Sequence, residues 1–147
     1  MKKGFTLIEL LAVIVILAII ALIATPMILG VIEDARKGSA KSSALGFVDA
    51  VEKSSLVYAV NNGSSFKNGE YEVQGKNLLQ NDNVIYTVDY KGDEAIGTIT
   101  ISNGEVTIAK LTFKSIINKE VEVKGNTATI KDEVEKEPED ETTDKPE

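Results

Sequence analysis

The sequence predicts an α+β fold in which one long N-terminal helix, with its front half transmembrane, packs by its rear half on an antiparallel β-sheet. Three observations support this class: an uncharged apolar run over residues 10–32, helical spacing of apolar residues over 31–60, and β-type segments over 66–131. The 147 residues are enough for one domain of ordinary size.

The apolar run is the strongest signal in the chain. Its 23 residues, 10–32, carry no charge. A helix rises ~1.5 Å per residue, so the run spans roughly 35 Å and can cross a hydrocarbon core of ~30 Å. A secretory signal peptide is a poorer match, because the run is too long and Glu9 precedes most of it. We predict a transmembrane helix, and the flanking charges leave its orientation open.

The residues after this run become polar but keep the helical period. A single row of small, apolar and aromatic residues would face a sheet: Ala40, Ala44, Phe47, Val51, Ser54 and Tyr58. We therefore predict one helix from about 5 to 60, bent near Pro26, because proline removes a backbone donor and clashes with the preceding turn. The polar segment 61–65 should end it.

The β region contains two hairpin signals. Asn103-Gly104 separates segments 99–102 and 105–108, and Asn-Gly tolerates the positive φ angles of a type I′ turn. Segments 120–124 and 127–131 flank Gly125-Asn126 in the same way. Further strands are predicted over 70–74 and 84–90, which gives an antiparallel sheet of about four to six strands. Tyr86, Val88 and Tyr90 would share one face of the 84–90 strand and pack in the core.

Composition excludes several kinds of chemistry. The chain has no Cys and no His, so disulfides, thiolate nucleophiles, His-based catalysis and zinc sites are excluded. The net charge of −7 arises in residues 132–147, which hold nine acids and two lysines, whereas residues 1–131 carry 14 charges of each sign. That acidic tail should be disordered. Scattered lysines show no basic patch, so no nucleic acid is predicted as a partner.

The string Gly-Phe-Thr-Leu-Ile-Glu at residues 4–9 resembles the cleavage motif of type IV pilins and the related pseudopilins. The family pattern is a short basic leader ending in Gly, then this string, then an apolar stretch. Lys3-Gly4, Phe5, Glu9 and Pro26 all fit it. The resemblance covers roughly residues 2–30, and beyond them the chain is similar to the family only in architecture, a helical spine followed by a β-sheet (the pilin fold).

The resemblance implies a processing route and a role. A prepilin peptidase would cut between Gly4 and Phe5 and methylate the new amino terminus on Phe5. Residues 1–4 would be the leader, 5–30 the transmembrane and filament-core helix, 31–131 the globular pilin domain and 132–147 the tail. The subunit would wait in the cytoplasmic membrane as a single-pass protein. An assembly ATPase and a platform protein would then build it, with other copies of itself, into an extracellular pilus.

The resemblance also implies roles for individual residues. The amino terminus on Phe5 is a cation and Glu9 an anion, and pairing between neighbouring subunits would neutralise both during assembly. Removing one member of such a buried pair costs ~3–5 kcal/mol. Pro26 and Gly30 would mark a zone that can kink or melt. The chain would be a structural protein and not an enzyme, with no cofactor and no metal.

Two alternatives stay open. One is a pseudopilin of a type II secretion or competence DNA-uptake machine, whose filament is short. The other, from a different class, is a single-pass membrane protein that displays a β-rich binding domain. The chain also departs from many Gram-negative pilins, which close a C-terminal loop with a disulfide, because it has no cysteine.

Overall fold

The computed structural model describes residues 4–131, which form one helix and seven strands. Residues 1–3, which belong to the predicted leader 1–4, and the acidic tail 132–147, for which disorder is predicted, lie outside the described residues. The chain divides into two compact units, one ending at Gly38 and one beginning at Ser39.

The first unit is the front part of a single long helix. Helix α1 (Leu7–Asn62) begins two residues after the predicted start and remains helical through Pro26. Its large apolar side chains up to Ile32 are all at least 43 % exposed. A helix that is apolar all round has no face suited to water. The bend near Pro26 stays a prediction, since the helix has no break there.

Helix α1 ends where its sequence predicts, and its last turn is capped. The Asn62 side-chain amide donates to the Tyr58 carbonyl at 3.0 Å. Gly63 adopts φ 77°, and its N–H donates to the Ala59 carbonyl at 2.8 Å. Glycine takes this left-handed conformation without a side-chain clash and so satisfies a carbonyl at the helix end. The predicted termination within 61–65 is confirmed.

In the second unit, the rear half of α1 buries one stripe of small and apolar residues. The buried members are Ala40, Ala44, Phe47, Val48, Val51, Ser54 and Ser55. Five of the six predicted row members are buried, and the sixth, Tyr58, is half-buried against the core. Val48 and Ser55 widen the row because neighbouring turns of a helix present adjacent positions to one surface.

Seven strands form one sheet in which every neighbouring pair is antiparallel. Their bounds are β1 Gly69–Gly75, β2 Asn77–Gln80, β3 Asn83–Thr87, β4 Ala95–Ser102, β5 Glu105–Phe113, β6 Ile117–Lys124 and β7 Thr127–Ile130. The spatial order is β3-β2-β1-β4-β5-β6-β7. Two meanders are therefore joined by one return connection, which carries the chain from the β3 edge back to β4 beside β1.

The predicted count of four to six strands is wrong. The missed strand is β2, which has four residues. It is joined to β3 by a tight turn at Asn81 and Asp82, whose φ angles are 51° and 60°. Asn and Asp tolerate this left-handed region, so the pair makes a two-residue turn without the glycine that usually signals one. The two predicted hairpins are confirmed. The Asn103-Gly104 turn has φ angles of 55° and 85°.

The predicted 84–90 strand is also wrong at its end, because β3 stops at Thr87. The Val88 N–H donates to the Lys76 carbonyl, and the Tyr90 N–H donates to the Val88 carbonyl. These two bonds turn the chain towards β4. Val88 is buried, and the Tyr90 ring packs edge-on against Phe47 with centroids 5.3 Å apart. Core packing of Val88 and Tyr90 is thus confirmed, but these two residues lie in the connection between β3 and β4 and not in a strand.

The core lies between α1 and one face of the sheet. Along β4, β5 and β6 alternate residues are buried, as in Ile99 and Ile101, Leu111 and Phe113. Facing outward between them are threonines and charged residues such as Thr98 and Lys110. This alternation is typical of a sheet with one packed face and one wet face.

One glycine in the middle of the sheet is required by its surroundings. Gly97 lies in β4 between Val73 of β1 and Leu111 of β5. Its φ is 152°, and a Cβ added there would overlap the Lys110 carbonyl oxygen. An L side chain therefore fits neither the backbone conformation nor the space.

We predict that Gly97→Ala destabilises the sheet unit by roughly 2–3 kcal/mol, from the strained backbone and the overlap with β5. All four tyrosines lie between residues 58 and 90, so tyrosine fluorescence during urea unfolding in detergent reports on this unit. Gly46→Ala is the matched control: its Cβ would lie 3.7 Å from the Tyr90 ring. Because alanine favours the helix more than glycine does, Gly46→Ala should stabilise the unit by up to ~1 kcal/mol. Equal midpoints for wild type and Gly97→Ala would contradict the account.

We also predict that the unit loses stability above about pH 10. Burial raises the pKa of both Tyr71 and Tyr90 above the ordinary phenol value. A raised folded-state pKa means that stability is complete below the unfolded pKa and falls as the pH rises through the folded one. In Tyr90→Phe, which keeps the ring and loses the bond to the Ser43 carbonyl, the decline should be shallower. An identical decline in both proteins, measured by urea midpoints, would refute this.

Candidate functional site at the start of the helix

The first turn of α1 is closed by reciprocal hydrogen bonds between Thr6 and Glu9. The Thr6 N–H and the Thr6 hydroxyl both donate to Oε2 of Glu9 at 2.8 Å. The Glu9 N–H donates back to the Thr6 hydroxyl oxygen at 3.3 Å. This is a capping box, with Thr6 at the N-cap and Glu9 at the third helical position.

The capping box matters because backbone donors at a helix start have no partners within the helix. In hydrocarbon each unsatisfied donor costs several kcal/mol, since no water is available. Thr6 and Glu9 satisfy two of them. Both Thr6 bonds reach the same carboxylate oxygen. Among the residues described here, Oε1 of Glu9 is left without a hydrogen-bond partner and can accept from a cation outside the chain.

Gly4 and Phe5 precede this turn and are both exposed. Phe5 is 88 % exposed. No described atom lies within 4 Å of a Cβ built at Gly4, so packing within residues 4–131 does not require glycine there. If glycine is needed at this position, the requirement comes from a molecule that binds the segment.

The helix behind the capping box is long and apolar enough, by length and composition, to cross a membrane. No part of its apolar window is buried against the rest of the described chain. By contrast, the core helix of a soluble protein would be mostly covered. The exposed apolar surface therefore supports membrane anchoring.

Pro26 and Gly30 lie in the later part of this apolar segment. Proline has no N–H, so one backbone carbonyl in the preceding turn loses its helical partner. One residue earlier, the Thr25 hydroxyl donates to the Ala21 carbonyl at 2.7 Å. Such back-bonding by threonine often bends helices. Thr25 was not predicted to take part, although its place before Pro26 is visible in the sequence.

Carboxylates elsewhere serve the fold. A cavity of about 520 Å³ between α1 and the hairpin tips is lined by Asp49, Glu52 and Glu105, among others. Asp49 pairs with Lys53, and Glu52 accepts a bond from the Val106 N–H at 3.0 Å. The Glu52 bond ties the helix to β5 and was not predicted, because it joins residues 54 positions apart. Within residues 4–131 no three acidic side chains are arranged to hold a metal ion.

On the sheet's outer surface, one charge pair lies along β6 and another joins β6 to the residue after β7. The Lys124 ammonium lies 3.0 Å from a Glu122 carboxylate oxygen, and Lys131 lies 3.1 Å from Glu120. The hydrogen bond from Lys124 lowers the pKa of Glu122 below its ordinary value. These exposed pairs contribute little to stability.

Comparison with known families gives a match to the N-terminal segment, which contains the start of α1. A family model described as the prokaryotic N-terminal methylation motif matches residues 1–25. This motif is the prepilin signature of type IV pilins and pseudopilins, so the predicted resemblance is confirmed for this region. A search of curated proteins and a search of solved structures each found no match.

The motif and the fold together define the class. The chain carries a type IV pilin or pseudopilin prepilin signature on a pilin-like α+β architecture. Proteins with this signature are structural subunits. The signature implies processing by prepilin peptidase and handling by a membrane assembly machinery in general. It also supports membrane anchoring through the apolar helix.

Proposed function

We propose that this chain is the structural subunit of a type IV pilus. Prepilin peptidase cleaves it between Gly4 and Phe5 and methylates the new amino terminus on Phe5. The subunit then polymerises through its apolar N-terminal helix into a surface filament that serves motility, adhesion or aggregation. One observation carries the proposal: the methylation motif at residues 1–25 lies on a helix whose large apolar side chains up to Ile32 are all exposed.

The exposed helix supports polymerisation because it has two possible apolar environments. Before assembly it lies in lipid, and afterwards it lies among the same helices of other subunits. Both environments are apolar, so transfer between them changes little hydrophobic free energy. A subunit can therefore be stored in the membrane, moved into the filament and returned.

Glu9 has two tasks in this proposal. Its Oε2 accepts both bonds from Thr6 and so caps the helix. Its Oε1 accepts the amino-terminal cation of Phe5 of a neighbouring subunit as that subunit enters the filament. The two tasks use different oxygens, so the cap can persist during pairing. Removing the anion would leave a buried cation without a partner.

The remaining expectations extend the same proposal. Residues 1–4 are the leader, 5–30 the filament-core helix, 31–131 the globular domain and 132–147 the tail. Pro26 and Gly30 mark the kink or melting zone. Partners are other copies, the peptidase, the assembly ATPase and the platform protein. The chain binds no cofactor and is not an enzyme. A pseudopilin would give little sheared filament, and a membrane-anchored binding protein would give none.

A substitution series at Glu9 and Thr6 separates charge from capping. Glu9→Ala removes both and should reduce sheared filament more than about a hundredfold, since the stranded cation costs ~3–5 kcal/mol. Glu9→Gln keeps a side chain that serves in a capping box but loses the charge, so its filament yield should still fall far more than that of a variant that loses only the cap. Thr6→Val loses the hydroxyl cap, worth ~1 kcal/mol, and should reduce the yield only several-fold.

The yield is measured by shearing cells and blotting the released protein, with cleaved subunit in membranes as the control for processing. Normal filaments from Glu9→Gln together with none from Thr6→Val would show that capping, and not charge, drives assembly. That result would refute the pairing role of Glu9.

We predict that Gly4→Leu leaves uncleaved precursor in the membrane, because a bulky side chain obstructs the protease at the bond that follows residue 4. Gly30→Leu is the matched control, since a Cβ at Gly30 also meets no described atom within 4 Å and the site lies outside the string at residues 4–9. Gel mobility separates precursor from mature subunit. Full cleavage of Gly4→Leu would contradict recognition at this bond.

A further inference from the structure

Asparagine followed by glycine occurs at three places in the chain: residues 62–63, 68–69 and 103–104. In this dipeptide the backbone nitrogen of glycine can attack the side-chain amide carbon of asparagine, because glycine has no side chain to obstruct the approach. Asparagine is accordingly one of the thermolabile residues. Since the three sites share one dipeptide, the fold decides which of them can react.

At the end of α1 both reacting groups are held by hydrogen bonds. The Asn62 side-chain amide donates to the Tyr58 carbonyl at 3.0 Å. The Gly63 N–H donates to the Ala59 carbonyl at 2.8 Å. Ring closure would have to break both bonds, because the amide must turn towards residue 63 and the nitrogen must lose its proton. The helix cap therefore protects this site.

The second site is held by a distant contact and by the sheet. The Asn68 side-chain oxygen accepts a hydrogen bond from the Asn103 N–H at 2.7 Å. Gly69 is the first residue of β1 and pairs with Ile101 of β4. The Asn68 side chain must leave its partner before it can turn towards the Gly69 nitrogen, and the sheet fixes the backbone there. This site is therefore protected as well.

The third site has no such restraint on its reacting groups. Asn103 and Gly104 form the two-residue turn between β4 and β5, and Asn103 is exposed. Among residues 4–131, neither the Asn103 side chain nor the Gly104 N–H has a hydrogen-bond partner. No hydrogen bond has to break before the side chain turns towards the Gly104 nitrogen.

We propose that Asn103 is a modification site, at which the folded chain loses ammonia without an enzyme. The Gly104 nitrogen bonds to the Asn103 side-chain amide carbon, the bond from that carbon to NH2 breaks, and ammonia leaves with the proton of the Gly104 N–H. Water then opens the resulting five-membered succinimide at either carbonyl. The product is aspartate, or isoaspartate, in which the main chain runs through the former side chain. The inference needs only the folded second unit and does not depend on the proposed function.

The reaction loosens the hairpin tip, because the turn is tightly fitted. Gly104 lies against α1 and the loop after it: a Cβ there would be 3.1 Å from the Ser55 hydroxyl oxygen and 3.2 Å from Cβ of Ser65. Isoaspartate adds one carbon to the main chain of a two-residue turn, so the pairing of Ser102 with Glu105 is lost. The second unit therefore becomes less stable as the protein ages.

The test ages the full-length protein in detergent and mildly alkaline buffer. Trypsin cleaves after lysine, which places the three asparagines in separate peptides, 54–67, 68–76 and 92–110. Mass spectrometry detects the replacement of NH2 by OH, and fragment spectra locate it. We expect conversion at Asn103 to be at least about fivefold faster than at Asn62 or Asn68, since those two sites must first break a hydrogen bond.

Two controls separate the fold from the local sequence. In urea, which removes the hydrogen bonds, the three sites should convert at similar rates. Asn103→Gly has no amide to lose and keeps a dipeptide that two-residue turns accept. Aged wild type should unfold at a lower urea midpoint than fresh protein, by tyrosine fluorescence, whereas aged and fresh Asn103→Gly should have the same midpoint.

Every other result counts against the inference. Faster conversion at Asn62 or Asn68 in the folded chain would refute the choice of site, and so would a folded chain that converts at none of the three. A lead of Asn103 that persists in urea would mean that local sequence, and not the fold, sets the order. An unchanged midpoint in converted wild type would refute the loosened hairpin tip.

Discussion

The apolar surface of the first helical turns is the constraint on which the rest depends. From Leu7 to Ile32 the large side chains face outward, and no described residue covers them. Water is excluded as their permanent environment, because exposing apolar surface to water costs ~25 cal/mol of free energy for each Å². The segment must lie in lipid or among equally apolar helices. Storage in a membrane followed by assembly into a bundle satisfies this requirement at both stages.

The same constraint explains the polar groups at the start of the helix. A helix that begins in or near hydrocarbon cannot leave its first N–H groups to water, and Thr6 and Glu9 provide partners within the chain. A carboxylate retained at such a position is costly unless it has a partner. The cap uses one of its oxygens, and the pairing proposed for assembly uses the other. The sheet unit, from Ser39 onward, has its own core, which contains no residue of the apolar segment.

Much of this could be predicted because local signals agree with the tertiary fold. The helical row from Ala40 to Ser54 could be predicted from residue spacing, and the Asn103-Gly104 turn from its residue types. Strand β2 was missed because four residues joined by Asn81-Asp82 leave no periodic pattern. The early end of β3 depends on the Lys76 carbonyl, which only the folded chain brings near Val88. For the same reason the Glu52 bond to Val106 and the need for glycine at 97 were invisible. The capping box at Thr6 was not predicted, although its sequence pattern, Thr-x-x-Glu, is visible at residues 6–9.

The central claim is that this chain is cut, modified and built into a filament by its N-terminal helix. The most direct measurement is the mass of the N-terminal peptide from protein sheared off intact cells. The account predicts a peptide that begins at N-methylated Phe5, which would establish cleavage, methylation and filament membership at once. A peptide found only in membranes and beginning at Met1 would contradict the account and leave an anchored β-rich protein.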